Sequence, residues 1–318
     1  MNTACKRRLQ VNNLRLISLE TWPATIGLLA SIKETNTMKR NMKQAKSGRM
    51  LPSFLALLLG SGLAFNAQAN TSTLKVCAAS DEMPYSNKQQ EGFENELAKI
   101  LADTMDRELE FVWSDKAAIF LVTEKLLKNQ CDVVMGVDKG DPRVATSDPY
   151  YKSGYAFIYP ADKGLDIKNW QSPALKDMSK FAIVPGSPSE VMLREIDKYE
   201  GNFNYTMSLI GFKSRRNQYV RYAPDLLVSE VVSGKADIAH IWAPEAARYV
   251  KSASVPLKMV VSEEIAPTHD GEGVRQQFEQ AIAVRSDDQE LLKEINTALH
   301  KADPKIKAVL KDEGIPLL

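Results

Sequence analysis

The sequence predicts an α/β protein of two lobes, each a mainly parallel sheet flanked by helices. Two observations carry this. From Leu74 onward, short apolar runs alternate with segments whose apolar residues recur at helical spacing, the strand-helix-strand order of a parallel sheet with right-handed crossovers. The same alternation then starts afresh near Phe181 as an independent block.

In the first block, residues 74–79 read as a strand, and 94–105 place Leu97, Ile100, Leu101 and Met105 on one helical face. A second strand over 109–113 precedes a helix over 117–129, with Ile119, Phe120, Val122, Leu126 and Leu127 apolar, and a buried strand over 131–137. After Asp148-Pro149-Tyr150-Tyr151, whose tyrosines are expected to pack at a hinge, comes a long strand over 154–159. The second block runs strand 181–184, a Gly186-Ser187 turn, helix 189–199, strand 205–210, helix 224–233, strand 236–241 and helix 244–250. Residues 262–275, polar and holding Pro267, His269 and two glycines, read as a surface loop. Strand 280–284 and two helices, 287–301 and 304–312, close the chain.

The only long apolar run, 51–65, follows Lys39, Arg40, Lys43, Lys46 and Arg49 and precedes Ala67-Gln68-Ala69. Basic region, apolar core and small-residue box together predict a secretory signal peptide over 38–69, cleaved after Ala69. The core falls short of the ~20 residues that a spanning helix needs, so no membrane anchor is expected after cleavage. Residues 1–37 have no clear role and are expected to be an over-extended start, with Met38 or Met42 beginning the translated chain.

Processing changes the electrostatics. The full chain carries 41 basic and 40 acidic residues; ten of the basic and two of the acidic ones lie in 1–69, leaving 31 against 38, a net charge of −7. An acidic exported domain is a poor candidate for nucleic acid. Cys5 is also removed, leaving Cys77 and Cys131, each at or near a strand, in a disulfide-permissive compartment. Either they form a structural disulfide between neighbouring strands or they are two buried thiols; without a CxxC, redox catalysis is disfavoured. His240, His269 and His300 have no metal-ligand spacing, and there is no nucleophile elbow, phosphate loop or dinucleotide fingerprint. No catalytic residue, metal or cofactor is therefore expected.

Pro84-Tyr85-Ser86, Gly92-Phe93-Glu94-Asn95-Glu96-Leu97, Cys131-Asp132-Val133-Val134-Met135-Gly136, Ser147-Asp148-Pro149-Tyr150-Tyr151, Gly234-Lys235-Ala236-Asp237-Ile238 and Ala283-Val284-Arg285-Ser286-Asp287-Asp288 occur in the order seen in a known family. Over 74–318 the chain resembles the type II periplasmic solute-binding proteins, the extracytoplasmic receptors of amino-acid ABC importers. The resemblance implies two lobes joined by two hinge crossings: 70–157 and a return segment 279–318 form the first lobe, and 158–278 the second. More narrowly, Val76-Cys77-Ala78-Ala79, Met83 to Asn87, Gly140-Asp141-Pro142-Arg143 and Glu313-Gly314-Ile315-Pro316-Leu317 are similar to the branch that accompanies the quinoprotein methanol dehydrogenase of methylotrophs. A sister branch accompanies the lanthanide-dependent enzyme. This resemblance implies a periplasmic, non-catalytic accessory of methanol oxidation, acting in assembly, maturation or organisation through contact with methanol dehydrogenase at its large subunit, and with cytochrome c. The alternative is a transporter-linked receptor for a small polar solute.

In amino-acid receptors of this fold a cleft arginine forks onto the ligand carboxylate. Arg143 falls at that place, and Asp138, standing where a hydroxyl residue is usual, is expected to neutralise it. Ser187, after Gly186 at a helix start, belongs to the facing turn that receives an anion. Trp242 holds the place of the acid that takes the ligand ammonium, and Glu82, near Tyr85, stands where a stacking ring is usual. The cleft candidates are thus Glu82, Tyr85, Asp138, Arg143, Ser187 and Trp242, with three contacts changed from those of an amino-acid receptor. Each also has a structural reading: an Arg143 ion pair with Asp138 or Asp141, Trp242 as packing, Asp138 as a turn cap, Ser187 as a helix cap.

Overall fold

The computed structural model describes residues 72–209 and 223–318. The leader, its cleavage site, the first 37 residues and the end of the strand expected at 205–210 lie outside the described residues.

Strand β1 (Thr73–Ala79) runs parallel between β2 (Glu108–Ser114) and β3 (Val133–Asp138). Helix α1 (Phe93–Thr104) crosses from β1 to β2 and buries Phe93, Leu97 and Leu101 against Leu74, Val76 and Val133. The long strand β4 (Tyr151–Pro160) leads to the second half: β5 (Phe181–Ile183), α2 (Pro188–Glu195), α3 (Tyr199–Ser208), α4 (Pro224–Val232), β6 (Ile238–Trp242), α5 (Ala243–Lys251) and β7 (Leu257–Val261). Strand β8 (Gln277–Val284) and helix α6 (Gln289–Asp312) return to the first half.

The strand order is β2-β1-β3-β8-β4-β6-β5, with β7 also on β4. Two adjacent antiparallel strands connect the halves. β4 pairs with β8 through Tyr151 to Gly154, then from Tyr155 with β6 and from Ala156 with β7; β8 continues alongside β3. Where β4 changes partner stands Gly154, and a Cβ there would come within 2.7 Å of Val261 and 3.2 Å of the Gln276 carbonyl, so the close passage of strands demands glycine. In the second half the two-residue period of β4 puts Phe157 and Tyr159 in the core under Trp170 and Met192, and Ile158 in the opposite core with Leu227 and Val231. Cys77 and Cys131 are bridged, with Cα atoms 5.6 Å apart, inside a small apolar cluster with Leu126 and Val134.

The α/β class and the mainly parallel sheets are as expected; several elements are not. The stretch read as a strand from 205 is the end of α3. Its Asn202 and Thr206, one turn apart, are buried: Asn202 Oδ1 accepts the Phe181 N–H (2.8 Å) and Nδ2 donates to the Phe181 carbonyl (2.9 Å) and to Thr206 Oγ1 (2.9 Å). Tertiary hydrogen bonding to a strand edge thus overrides local β preference. The expected helix over 117–129 breaks into short turns, leaving Ile119 68% exposed. The two closing helices are one, running through Pro304, because Ala298, Leu299, Ala302, Ile306 and Leu310 continue a single buried stripe whose packing outweighs the lost hydrogen bond. Strand β7 was not expected, and the loop read over 262–275 holds a short antiparallel ladder, Ile265–Ala266 with Val274–Arg275.

Candidate functional site

Of the candidate residues, the crossing strands β4 and β8 meet Trp242, which packs on Tyr155 and Phe278, and Asp138, which pairs with Gln280. On the first half, the loop after β1 is stitched onto the start of α1: Phe93 and Glu94 donate to the carbonyls of Pro84 (2.9 Å) and Tyr85 (3.0 Å), and Asn95 Oδ1 accepts from Asn87 (3.1 Å) and Gly92 (3.2 Å). Gly92 is required here, since a Cβ would lie 2.0 Å from the Tyr85 oxygen. The helix start has therefore spent its free N–H groups on its own loop. Glu82 accepts the Ala118 N–H (2.7 Å), and the Tyr85 ring packs on Phe93 with centroids 5.1 Å apart.

Arg143 is not presented to the cleft. Its guanidinium forks onto Asp141, with Nε 2.9 Å from Oδ1 and Nη2 2.5 Å from Oδ2, and its backbone N–H donates to the same carboxylate at 2.9 Å. Those bonds hold Asp141 below the usual carboxylate range. Of the two partners expected for it, Arg143 takes Asp141; Asp138 instead accepts Gln280 Nε2 across β3 and β8 at 2.6 Å. The short spacing explains this: Asp141 stands two residues from the arginine and already takes its N–H.

The facing turn is also self-satisfied. Gly186 donates its N–H to Glu190 Oε2 (2.8 Å), and Ser187 turns its hydroxyl back to the Val184 carbonyl (2.6 Å), making no side-chain cap to α2. The anion that this turn holds is a residue of the protein itself. Trp242 packs between Tyr155 (5.7 Å) and Phe278 (5.9 Å), joining β6 to both crossing strands.

The groups that sequence reasoning passed over at the junction are two acids, Glu94 and Glu245. Glu94 lies beneath Gly136, where a Cβ would come within 2.1 Å of its Oε1, and the Gly136 N–H donates to the Tyr150 hydroxyl at 3.0 Å. Burial, with the Glu82 charge adding to it, pushes Glu94 up to about 8. From the second half, Glu245 in the first turn of α5 lies beside Tyr85 and is pushed up to about 7 by burial and then by Glu82. Burial likewise raises Tyr85, Tyr150, Tyr151 and Tyr155 above the ordinary phenol range. Glu245 supplies an acid three residues beyond Trp242, a signal available in Trp242-Ala243-Pro244-Glu245 had a helix start been weighed as a way into the cleft.

His240 is fully buried between Ser189 Oγ and Ser262 Oγ, both at 2.8 Å, and burial pushes it down to about 3. It is a neutral core residue. His269 pairs with Glu195 and His300 with Asp148, both on the surface. Among the described residues no group of three or more His, Cys, Asp or Glu is placed to hold a metal ion, and no helix is long and apolar enough to cross a membrane.

Two halves joined by adjacent crossing strands, with polar groups converging at the junction, define a bilobal binding protein. The chain belongs to the bacterial extracellular solute-binding proteins, family 3, whose sequence profile matches residues 74–310. Among its relatives is Protein MoxJ of Methylorubrum extorquens AM1, 46% identical over 252 residues, covering 79% of this chain and 84% of the relative. The crystal structure of MxaJ from Methlophaga aminisulfidivorans MPT is 99% identical and covers 77% of this chain and all of that one, with a TM-score of 0.75. The periplasmic binding protein XoxJ from Methylobacterium extorquens AM1 is 25% identical, covers 77% of this chain and 99% of that one, and has a TM-score of 0.57. The nearer resemblance is therefore to the MoxJ and MxaJ type.

Proposed function

We propose that this protein is a periplasmic, non-catalytic accessory of the methanol dehydrogenase system that acts by protein contact in assembly, maturation or organisation. The observation that carries the reading is that both anion-binding devices of an amino-acid receptor are occupied by the protein's own carboxylates: Arg143 by Asp141 and the Gly186 turn by Glu190. An amino-acid carboxylate entering this region meets the acid Glu82 and no cation presented by the expected arginine. Likeness to MoxJ and MxaJ supports the system, and membership of an extracellular family supports export by the leader at 38–69 with cleavage after Ala69.

In this reading the lobes are 70–157 with 279–318, and 158–278, and the partners are methanol dehydrogenase, through its large subunit, and cytochrome c. Glu82, Tyr85, Asp138, Ser187 and Trp242 then serve to shape the junction, and Arg143 serves as a local ion pair with Asp141. Purified protein is expected to co-elute with methanol dehydrogenase or its large subunit at some stage of assembly, and to show no heat of binding with an amino-acid panel. Tight binding of a small solute, together with no association with the dehydrogenase at any stage, would replace this reading with that of a transporter-linked receptor.

A further inference from the structure

We infer that helix α5 is a clasp that holds the two halves together across the junction without any solute. In a receptor that closes on its ligand, the closed state gains its stability from contacts the ligand makes to both halves. Here one helix makes such contacts itself. Adjacent residues of α5 belong to different cores: Ala246 is buried with Leu227 and Ile241 of the second half, while Ala247 is buried with Leu310 and Ile315 of the first.

Polar contacts reinforce this seating along the length of the helix. At its start Glu245 lies beside Tyr85, on the loop between β1 and α1, close enough for each to shift the other's titration. In its last turn Arg248 forks onto Glu313, with Nε 2.7 Å from Oε2 and Nη2 2.5 Å from Oε1, and Nη2 also donates to the Glu91 carbonyl at 3.0 Å. Lys251 pairs with the Asp312 carboxylate at 3.0 Å. Tyr85 and Glu91 lie between β1 and α1, and Asp312 and Glu313 at the end of α6, all in the first half. Opening about β4 and β8 has to break the contacts that α5 makes with them.

The contacts are not equal. Lys251 and Asp312 are 58% and 86% exposed, an arrangement that contributes little. Arg248 and Glu313 are 28% and 15% exposed and paired bidentately, the geometry in which a charge-assisted pair is strong. Arg248 is therefore the residue on which the clasp depends most.

The test places spin labels on exposed positions of the two halves, Thr123→Cys and Ser229→Cys, and measures their separation by pulsed dipolar spectroscopy with no solute added. A single narrow distribution is expected, unmoved by an amino-acid panel. Arg248→Ala is expected to shift it to longer separations by more than its own width. A broad or two-peaked distribution in the labelled parent, or an unchanged one in a folded Arg248→Ala, overturns the clasp. Should Arg248→Ala fail to fold, Glu313→Gln, which leaves α5 intact, is expected to give the same shift, and an unchanged distribution there is equally fatal.

Discussion

Reducing the Cys77–Cys131 bridge isolates one contribution to stability, because the oxidised and reduced proteins differ only in that bond. The two cysteines are 54 residues apart in sequence, and the loop they close spans β1, α1 and β2. In the chain-entropy account, a closed loop of about that length removes unfolded-state entropy worth about 4 kcal/mol at 25 °C. For a domain of this size, about 4 kcal/mol corresponds to a fall in Tm of roughly 8–16 °C. Both cysteines are at most 2% exposed, among Leu121, Leu126 and Val134, so the reduced thiols stay packed and the native contacts change little. The assay is thermal unfolding of purified protein followed by circular dichroism, with and without reductant, thiol content being counted before each melt. Melting temperatures within about 2 °C of each other, with reduction verified, would refute the account.

Both buried acids titrate upward, to about 8 for Glu94 and about 7 for Glu245, so between about pH 4.5 and 8 the native state binds more protons than the unfolded chain. Stability is then greatest at the acid end of that window and declines through it as pH rises. Glu94→Gln should flatten the slope of urea midpoint against pH, and an unaltered slope would count against the burial argument. Asn202→Ala leaves the Phe181 N–H and carbonyl without their partner and should cost about 3 kcal/mol in chemical unfolding, whereas a loss below about 0.5 kcal/mol would mean those groups find water. Arg143→Ala removes only a local pair with Asp141 and should change stability by about 0.5 kcal/mol or less, with no effect on association with the dehydrogenase.

What was legible in the sequence followed from periodicity and from order. Leu97 and Leu101 marked α1 because a helix that buries one face shows it in spacing, and the recurrence of the strand-helix pattern after Phe181 gave the second half. The α3 error has a physical origin: Tyr205 to Leu209 has no clean helical stripe, and its buried face is held by Asn202 and Thr206, polar residues whose partners are on a distant strand. Pro304 misled for the opposite reason, since a local rule suggested a break that tertiary packing of Ile306 and Leu310 overrode.

At the junction, residue identity was legible and pairing was not. Arg143 and Asp141 stood side by side in the sequence, yet only side-chain direction decides between Asp138 and Asp141 as its partner. Glu94 and Glu245 escaped notice because each sits at an ordinary helix start. What makes them unusual is burial near Glu82, which for Glu94 requires packing beneath Gly136 and for Glu245 requires the two halves to be assembled.

The grip of Asn202 on Phe181 bears on how the protein avoids pairing with copies of itself. Strand β5 ends its run of the sheet, and an uncovered edge strand is a template on which another chain can add a strand. With one amide side chain holding both the N–H and the carbonyl of Phe181, α3 denies that edge to an incoming backbone. The opposite end, β2, carries exposed Glu108 and Glu110 in its first three residues, charges that disfavour stacking of identical edges. Each end of the sheet thus has its own guard against self-association, one a plug and the other a fence of charge, which leaves contacts with other proteins to surfaces other than open strand edges.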